Sequence, residues 1–112
     1  SKEEVLVIGV DENALEKEVE PIYLKRYLTA IKSKHITERV IIKKGSYKLD
    51  SKNISYRELA PEFIGNVAQI IYANKVALFL AGNTYTLIII QSKQTTETYR
   101  KQFELLWKSA SS

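Results

Sequence analysis

The single histidine of this 112-residue chain is the first side chain to test for chemistry. His35 stands between Lys34 and Ile36, where a helical pattern gives way to a strand pattern. A catalytic histidine needs a nucleophile or a carboxylate partner, and a zinc site needs further histidine or cysteine ligands. The chain has no second histidine and no cysteine, which excludes disulfide scaffolds, zinc fingers and thiol chemistry. We therefore interpret His35 as a surface or boundary residue and predict no catalytic residue, no metal site and no cofactor.

Phosphate-binding loops and paired carboxylates are not indicated either. Neither GxGxxG nor GxxxxGK[ST] occurs, and Gly9 stands alone after the first apolar run. The acidic segment EKEVE at residues 16–20 alternates with other residue types, which is typical of a solvated helix face. Nucleotide binding and general acid–base catalysis are therefore not predicted.

Lysines and arginines gather between residues 32 and 57, and Tyr47 and Tyr56 lie among them. Aromatic and basic side chains together can bind nucleic acid or an anionic metabolite, and the simpler alternative, which we favour, is a solvated loop. No recognition-helix pattern is visible, so this segment is not expected to recognise a DNA sequence. The net charge of +4 permits an anionic partner without requiring one.

The elements that must position these side chains fit one α/β domain. Short apolar or β-branched runs predict strands at residues 4–10, 38–44, 66–73, 76–81 and 84–91. The last three form an antiparallel meander behind a βαβ start, with turns at Asn74-Lys75 and Gly82-Asn83. A helical pattern runs over residues 14–34, with Pro21 at a helix start or a kink. Residues 45–65 are predicted to be a long loop with one helical turn near residues 56–59.

The segment TTETYRKQFELLW, residues 95–107, predicts a closing helix. Its large apolar residues follow the spacing i, i+4, i+7 and i+8: Tyr99, Phe103, Leu106 and Trp107. This spacing places them on one stripe, which we expect to lie across the sheet and close the core. The predicted N-cap is Ser92, Thr95 or Thr96. We interpret Trp107 as structural.

Five segments occur in an order that is typical of one protein family: VLVIGV, YLKRYLTAIKSKHITERVII, YRELAPEF, IIYANKVALFL and TTETYRKQFELLWKSA. In this order the chain resembles the C-terminal effector domain of TrmB-like transcriptional regulators. The resemblance is strongest in the last segment, where Arg100 and Phe103 precede Leu106-Trp107. The elements predicted above make a mixed sheet of about five strands with two main helices, and the resemblance implies that this fold is similar to one half of a phospholipase D-type fold. It also implies effector sensing or dimerisation in a transcriptional regulator.

The chain departs from the phospholipase D enzymes at their catalytic motif, HxKxxxxD. Ile36 and Thr37 follow His35 in place of the required pattern, and the hairpin IYANKVALF contains no histidine. We therefore expect no enzyme activity. A stand-alone nucleic-acid or anion-binding module remains an alternative, and half of a phospholipase D-type hydrolase is a less favoured one.

The resemblance implies further parts and partners. The chain contains no methionine, and we expect residues 1–112 to be one domain from the C-terminal part of a longer protein. An N-terminal winged helix would bind DNA, while this domain would form a homodimer and bind a small-molecule effector in the cytoplasm, with no membrane span. Tyr56 and Arg57 are the candidate effector contacts, because a guanidinium group suits carboxylates and phosphates. Tyr23 and Tyr27, on the exposed side of the first helix, are the candidate dimer contacts.

Overall fold

One mixed sheet and one long helix make up the fold of the described residues. The structure is a computed structural model that describes residues 4–9, 36–45, 48, 52–65, 67–80 and 86–111. The strands are β1 (Glu4–Ile8), β2 (Thr37–Lys43), β3 (Ile54–Leu59), β4 (Val67–Tyr72), β5 (Lys75–Leu80) and β6 (Thr86–Gln91). A short 3₁₀ turn spans Pro61–Phe63, and helix α1 spans Lys93–Ser109.

The six strands lie in the order β3-β2-β1-β4-β5-β6. Strands β1, β2 and β3 are parallel to one another, whereas β4, β5 and β6 form an antiparallel meander in which β4 pairs antiparallel with β1. Val7 marks this junction, since it lies opposite Val40 of β2 and Ile70 of β4. The central strands are covered on both faces, which explains their continuous apolar sequences.

The core consists of two layers, one on each face of the sheet. Alternate residues of a strand point to opposite faces, so Leu6 and Ile8 face α1 while Val5 and Val7 face away from it. On the α1 face, Phe103 is completely buried against the sheet, and Tyr99, Leu106 and Trp107 pack beside it. The closing helix and its apolar stripe are thus confirmed.

Ser92 caps α1, and its hydroxyl accepts a hydrogen bond of 3.2 Å from the Thr95 backbone N–H. Of the three caps considered, Ser92 therefore begins the helix. The α/β class and the strands predicted near residues 4–10, 38–44, 66–73, 76–81 and 84–91 are confirmed, with shifts of one or two residues at their ends.

The predicted loop at residues 45–65 is wrong over its second half. Ile54–Leu59 form β3, which pairs in parallel with β2, and the helical turn near residues 56–59 is replaced by extended backbone. The predicted count of about five strands is wrong for the same reason. The sequence ISYREL has no apolar run, because β3 lies at the sheet edge and leaves Ser55 exposed. Its pairing partner, which is distant in sequence, decides its structure.

The β4–β5 turn lies one residue earlier than predicted, at Ala73 and Asn74, because Tyr72 already pairs with Lys75. Ala73 has φ 51°, the left-handed conformation that a non-glycine residue rarely adopts. The turn predicted at Gly82-Asn83 and the first helix, at residues 14–34, lie outside the described residues, so one of the two predicted main helices is described. No helix in the described part is long and apolar enough to cross a membrane.

Candidate functional site

Trp107 lies at the centre of a cluster of aromatic and basic side chains on the α1 face of the sheet. Its ring stacks on that of Phe103, with the centroids 5.8 Å apart and the planes at 19°. The Arg57 guanidinium carbon lies 4.5 Å from the Trp107 ring centroid, and that of Arg39 lies 5.3 Å from it. Cation–π attraction therefore adds to the apolar contact where the last turns of α1 meet β2 and β3.

Arg39, on β2, joins two elements through its charge. Its Nε and Nη2 donate to the two carboxylate oxygens of Glu4, each at 2.9 Å. Its Nη1 and Nη2 donate to Glu104 of α1 at 2.6 and 3.2 Å. The hydrogen bonds from Arg39 lower the pKa of Glu104 below its ordinary value of 4.5. Two carboxylates thus neutralise Arg39, which makes it a fixed structural cation.

Arg57 has a different electrostatic environment. Its Nη1 donates a 2.7 Å hydrogen bond to the backbone carbonyl of Trp107, near the negative end of the α1 dipole. Among the described residues, no carboxylate forms an ion pair with Arg57. Among the described residues, the contacts of the Arg57 guanidinium are therefore a backbone carbonyl and an aromatic ring rather than a carboxylate.

The structure separates the two residues that we proposed as effector contacts. Tyr56 lies opposite Val40 and packs in the core layer away from α1, whereas Arg57 lies opposite Ile41 and faces α1. Both belong to β3 rather than to a loop. A small ligand on one face of the sheet would therefore meet only one of them directly, and contact with an effector remains a prediction for each.

The two edges of the sheet differ in their cover. Beside β3, Ser111, two residues after the end of α1, forms an isolated antiparallel bridge with Glu58, with backbone hydrogen bonds of 2.7 and 3.0 Å. Lys48 adds an ion pair of 3.6 Å to the Glu58 carboxylate. The β3 edge therefore carries both a backbone partner and charged side chains, which protect an edge strand from pairing with another chain.

In the described part of the chain, the β6 edge has neither a backbone partner nor charged side chains. No described strand pairs with its outer side. Its sequence, TLIIIQ, contains no charge and no proline, and Leu87, Ile88 and Ile89 are 60%, 44% and 59% exposed. An uncharged, apolar, open edge is a typical site for strand addition.

Two features of this part of the structure were not predicted from the sequence. Arg39 and Glu104 form an ion pair although 65 residues separate them, and Glu38 is a buried acidic residue on β2. The alternation within β2 is the only local signal that Arg39 and Glu38 lie on opposite faces. Tyr23, Tyr27 and His35 lie outside the described residues. Within the described part, no group of three potential metal ligands occurs.

Comparison with known proteins relates the fold to one solved structure. No protein-family model matches the sequence, and no curated protein matches it. The fold is similar to that of TrmBL2, an archaeal chromatin protein whose structure shows a novel mode of DNA binding. The TM-score is 0.61 at 14% sequence identity, and the match covers 96% of this chain and 44% of TrmBL2. At this identity the likeness establishes the fold alone, and the chain spans less than half the length of TrmBL2.

Proposed function

We propose that this chain is a non-catalytic domain of a TrmB-like regulator, where it dimerises, senses a small-molecule effector, or does both. The observation that carries the proposal is the similarity of fold to TrmBL2, which extends over 96% of this chain. DNA would be bound by another part of a longer protein. A dimeric domain would then set the spacing of two DNA-binding domains, and an effector would act by favouring one dimer geometry.

The surfaces described above support the two parts of this role separately. The open β6 edge, with exposed Leu87 and Ile89, suits association with another chain. Arg57 suits an anionic effector, because its guanidinium group has no carboxylate partner among the described residues. The two features belong to opposite edges of the sheet, since β3 and β6 are its outermost strands. Effector binding and dimerisation would therefore use different surfaces.

The same Arg57 geometry favours one alternative, a stand-alone nucleic-acid or anion-binding module. The two proposals differ in what the isolated chain does with DNA. A protein that binds DNA through phosphate contacts loses affinity steeply as salt rises, because binding releases counterions. A domain that only dimerises or senses an effector would bind a DNA duplex weakly at any salt concentration.

Three measurements on the purified chain test the proposed function. Analytical ultracentrifugation over a wide concentration range should show a monomer–dimer equilibrium. Thermal melts with inorganic phosphate or succinate should show a stabilisation that Arg57→Ala removes if Arg57 contacts the anion. Fluorescence anisotropy with a DNA duplex should show weak binding at low and at physiological salt.

Three results would overturn the proposal. Tight, steeply salt-dependent DNA binding would favour the nucleic-acid-binding module. Hydrolysis of bis-p-nitrophenyl phosphate that survives repeated purification would favour a phosphodiesterase. A chain that stays monomeric at every concentration and shows no thermal shift with either anion would lack both activities that we propose.

A further inference from the structure

We propose that β6 pairs in antiparallel fashion with β6 of a second copy of this chain, about a two-fold axis that passes beside Ile89. This inference rests on the dimerisation part of the proposed function. It adds the surface, the strand register and the relative orientation of the two copies. The two six-stranded sheets would join into one continuous sheet.

The backbone of β6 has hydrogen-bonding groups that face away from β5. The Ser92 N–H donates to the carbonyl of Asn74 at 3.0 Å, so the residue after β6 points its backbone groups toward β5. These groups alternate in direction along an antiparallel strand. Ile90 and Ile88 therefore bond to β5, while Leu87, Ile89 and Gln91 direct their N–H and C=O groups outward. Among the described residues no strand receives these outward groups.

The side chains of β6 favour a second copy as the occupant of this edge. Three of the six exposed large hydrophobic residues of the described part lie on this one strand: Leu87, Ile88 and Ile89. The strand carries no charge, so pairing it with itself places no like charges opposite one another. Natural proteins usually protect an edge with lysine, proline or a bulge, and the described β6 has none of these.

The two-fold symmetry restricts the register of such a pair. The outward groups belong to Leu87, Ile89 and Gln91, so a register centred on Ile89 uses all three residues of each strand. Ile89 then faces Ile89 of the second copy, and Leu87 faces Gln91 of the second copy. This arrangement forms about six backbone hydrogen bonds, because each directly bonded pair exchanges two. Because the two-fold axis is perpendicular to the joined sheet, both α1 helices lie on the same face of that sheet.

The expected affinity is moderate. A standard stable interface buries about 800 Å² on each partner, and a contact restricted to one strand is smaller than that. We therefore expect dimer formation to depend on protein concentration. In a longer protein, a second contact between the two chains would raise the effective concentration at which the two β6 strands meet.

Disulfide crosslinking tests the pairing and its register directly, because the chain contains no cysteine of its own. Directly bonded residues in antiparallel strands have Cα atoms about 5.5 Å apart, within the range of about 4.4–6.8 Å that a disulfide requires. Ile89→Cys should therefore crosslink to itself under mild oxidation. Leu87→Cys is the matched control, with 60% exposure against 59% for Ile89. It should not crosslink to itself, since four residues separate the two copies along the strand.

A mixture of two variants extends the register test. Leu87→Cys and Gln91→Cys should form a mixed disulfide with each other, although neither should crosslink efficiently alone. Efficient self-crosslinking of Leu87→Cys with none for Ile89→Cys would contradict the proposed register.

A charge substitution tests association without covalent chemistry. Ile89→Lys places two ammonium groups opposite one another and should weaken dimerisation at least about tenfold. Leu105→Lys is the control, because Leu105 is 67% exposed on α1, and this variant should dimerise like the parent chain. Circular dichroism melts of each variant establish that it folds. Ile89→Ser provides a second, uncharged substitution if Ile89→Lys fails to fold.

The outcomes separate this inference from the proposed function. The β6 pairing would be overturned if the parent chain dimerises, Ile89→Lys remains dimeric and Ile89→Cys does not crosslink. Dimerisation through another surface would then stand. A parent chain that is monomeric at every concentration would overturn both the pairing and the dimerisation. A dimer that crosslinks through Ile89 and dissociates in Ile89→Lys is the result we expect.

Discussion

The guanidinium group of Arg57 lies 4.5 Å from the ring centroid of Trp107 and donates a 2.7 Å hydrogen bond to the carbonyl of the same residue. One side chain on β3 thus holds both the ring and the backbone of the last turns of α1. Fifty residues separate the two in sequence. The edge strand and the closing helix are therefore joined by a charged side chain as well as by apolar packing.

We expect Arg57→Ala to lower the free energy of unfolding by about 1–2 kcal/mol, because it removes a hydrogen bond and a cation–π contact. Arg57→Lys should lose less than Arg57→Ala, since it keeps the charge but not the planar fork. Urea unfolding measures both changes. Lys101→Ala, on the exposed side of α1, is the control and should have little effect. Equal stability of Arg57→Ala and Lys101→Ala would contradict the structural role of Arg57.

Phe103 anchors the closing helix, and Phe103→Ala should destabilise the fold by about 3–5 kcal/mol. The side chain is completely buried, so truncation leaves a cavity beneath α1. Leu105→Ala, two residues away on the same helix and 67% exposed, should change stability by less than about 0.5 kcal/mol. Thermal or urea unfolding distinguishes the two variants, and a similar loss in both would show that α1 does not pack on the sheet through Phe103.

Glu104 should contribute stability that depends on pH. Its folded-state pKa is lowered, first by the hydrogen bonds from Arg39, so the contribution is present above the ordinary pKa of 4.5 and is lost as pH falls through the folded value. Because half of the Glu104 side chain is exposed, we expect less than about 1 kcal/mol at neutral pH.

Urea unfolding of Glu104→Gln and the parent chain, at neutral pH and in acid, measures this effect. The variant should be less stable at neutral pH, and the difference should shrink once Glu104 is protonated in the folded parent. Glu62→Gln is the control, because Glu62 forms no ion pair among the described residues. A difference between parent and Glu104→Gln that is the same at both pH values would contradict the prediction.

Ala73→Gly should stabilise the chain by about 0.5–1 kcal/mol. Ala73 has φ 51° in the β4–β5 turn. In this left-handed conformation the Cβ atom of alanine is sterically unfavourable, and glycine has no Cβ atom. The Arg100 guanidinium donates a 2.7 Å hydrogen bond to the backbone carbonyl of Ala73, and the substitution preserves this acceptor. Ala77→Gly, within β5, should destabilise the chain instead. Parallel thermal melts test the opposite signs, and a loss of stability in both variants would show that the turn is not strained.

Local patterns in the sequence determined most of the fold. The apolar runs around Val7 and Val40 predicted strands, because a strand buried in a sheet needs apolar residues wherever it is covered. The i, i+4, i+7 and i+8 spacing from Tyr99 to Trp107 predicted the helix that closes the core. These features hold because the pattern that buries each element lies within the element itself.

Tertiary structure alone decided the candidate sites. ISYREL becomes a strand because β2 provides its backbone partner, and the segment lacks the continuous apolar run by which the central strands were predicted. Arg39 meets Glu4 and Glu104 across 35 and 65 residues, and Arg57 meets Trp107 across 50. The order of strands likewise leaves β6 at an edge while Ser111 covers β3. A sequence pattern identifies which residues avoid water, whereas contacts between distant residues depend on how the whole chain folds back on itself.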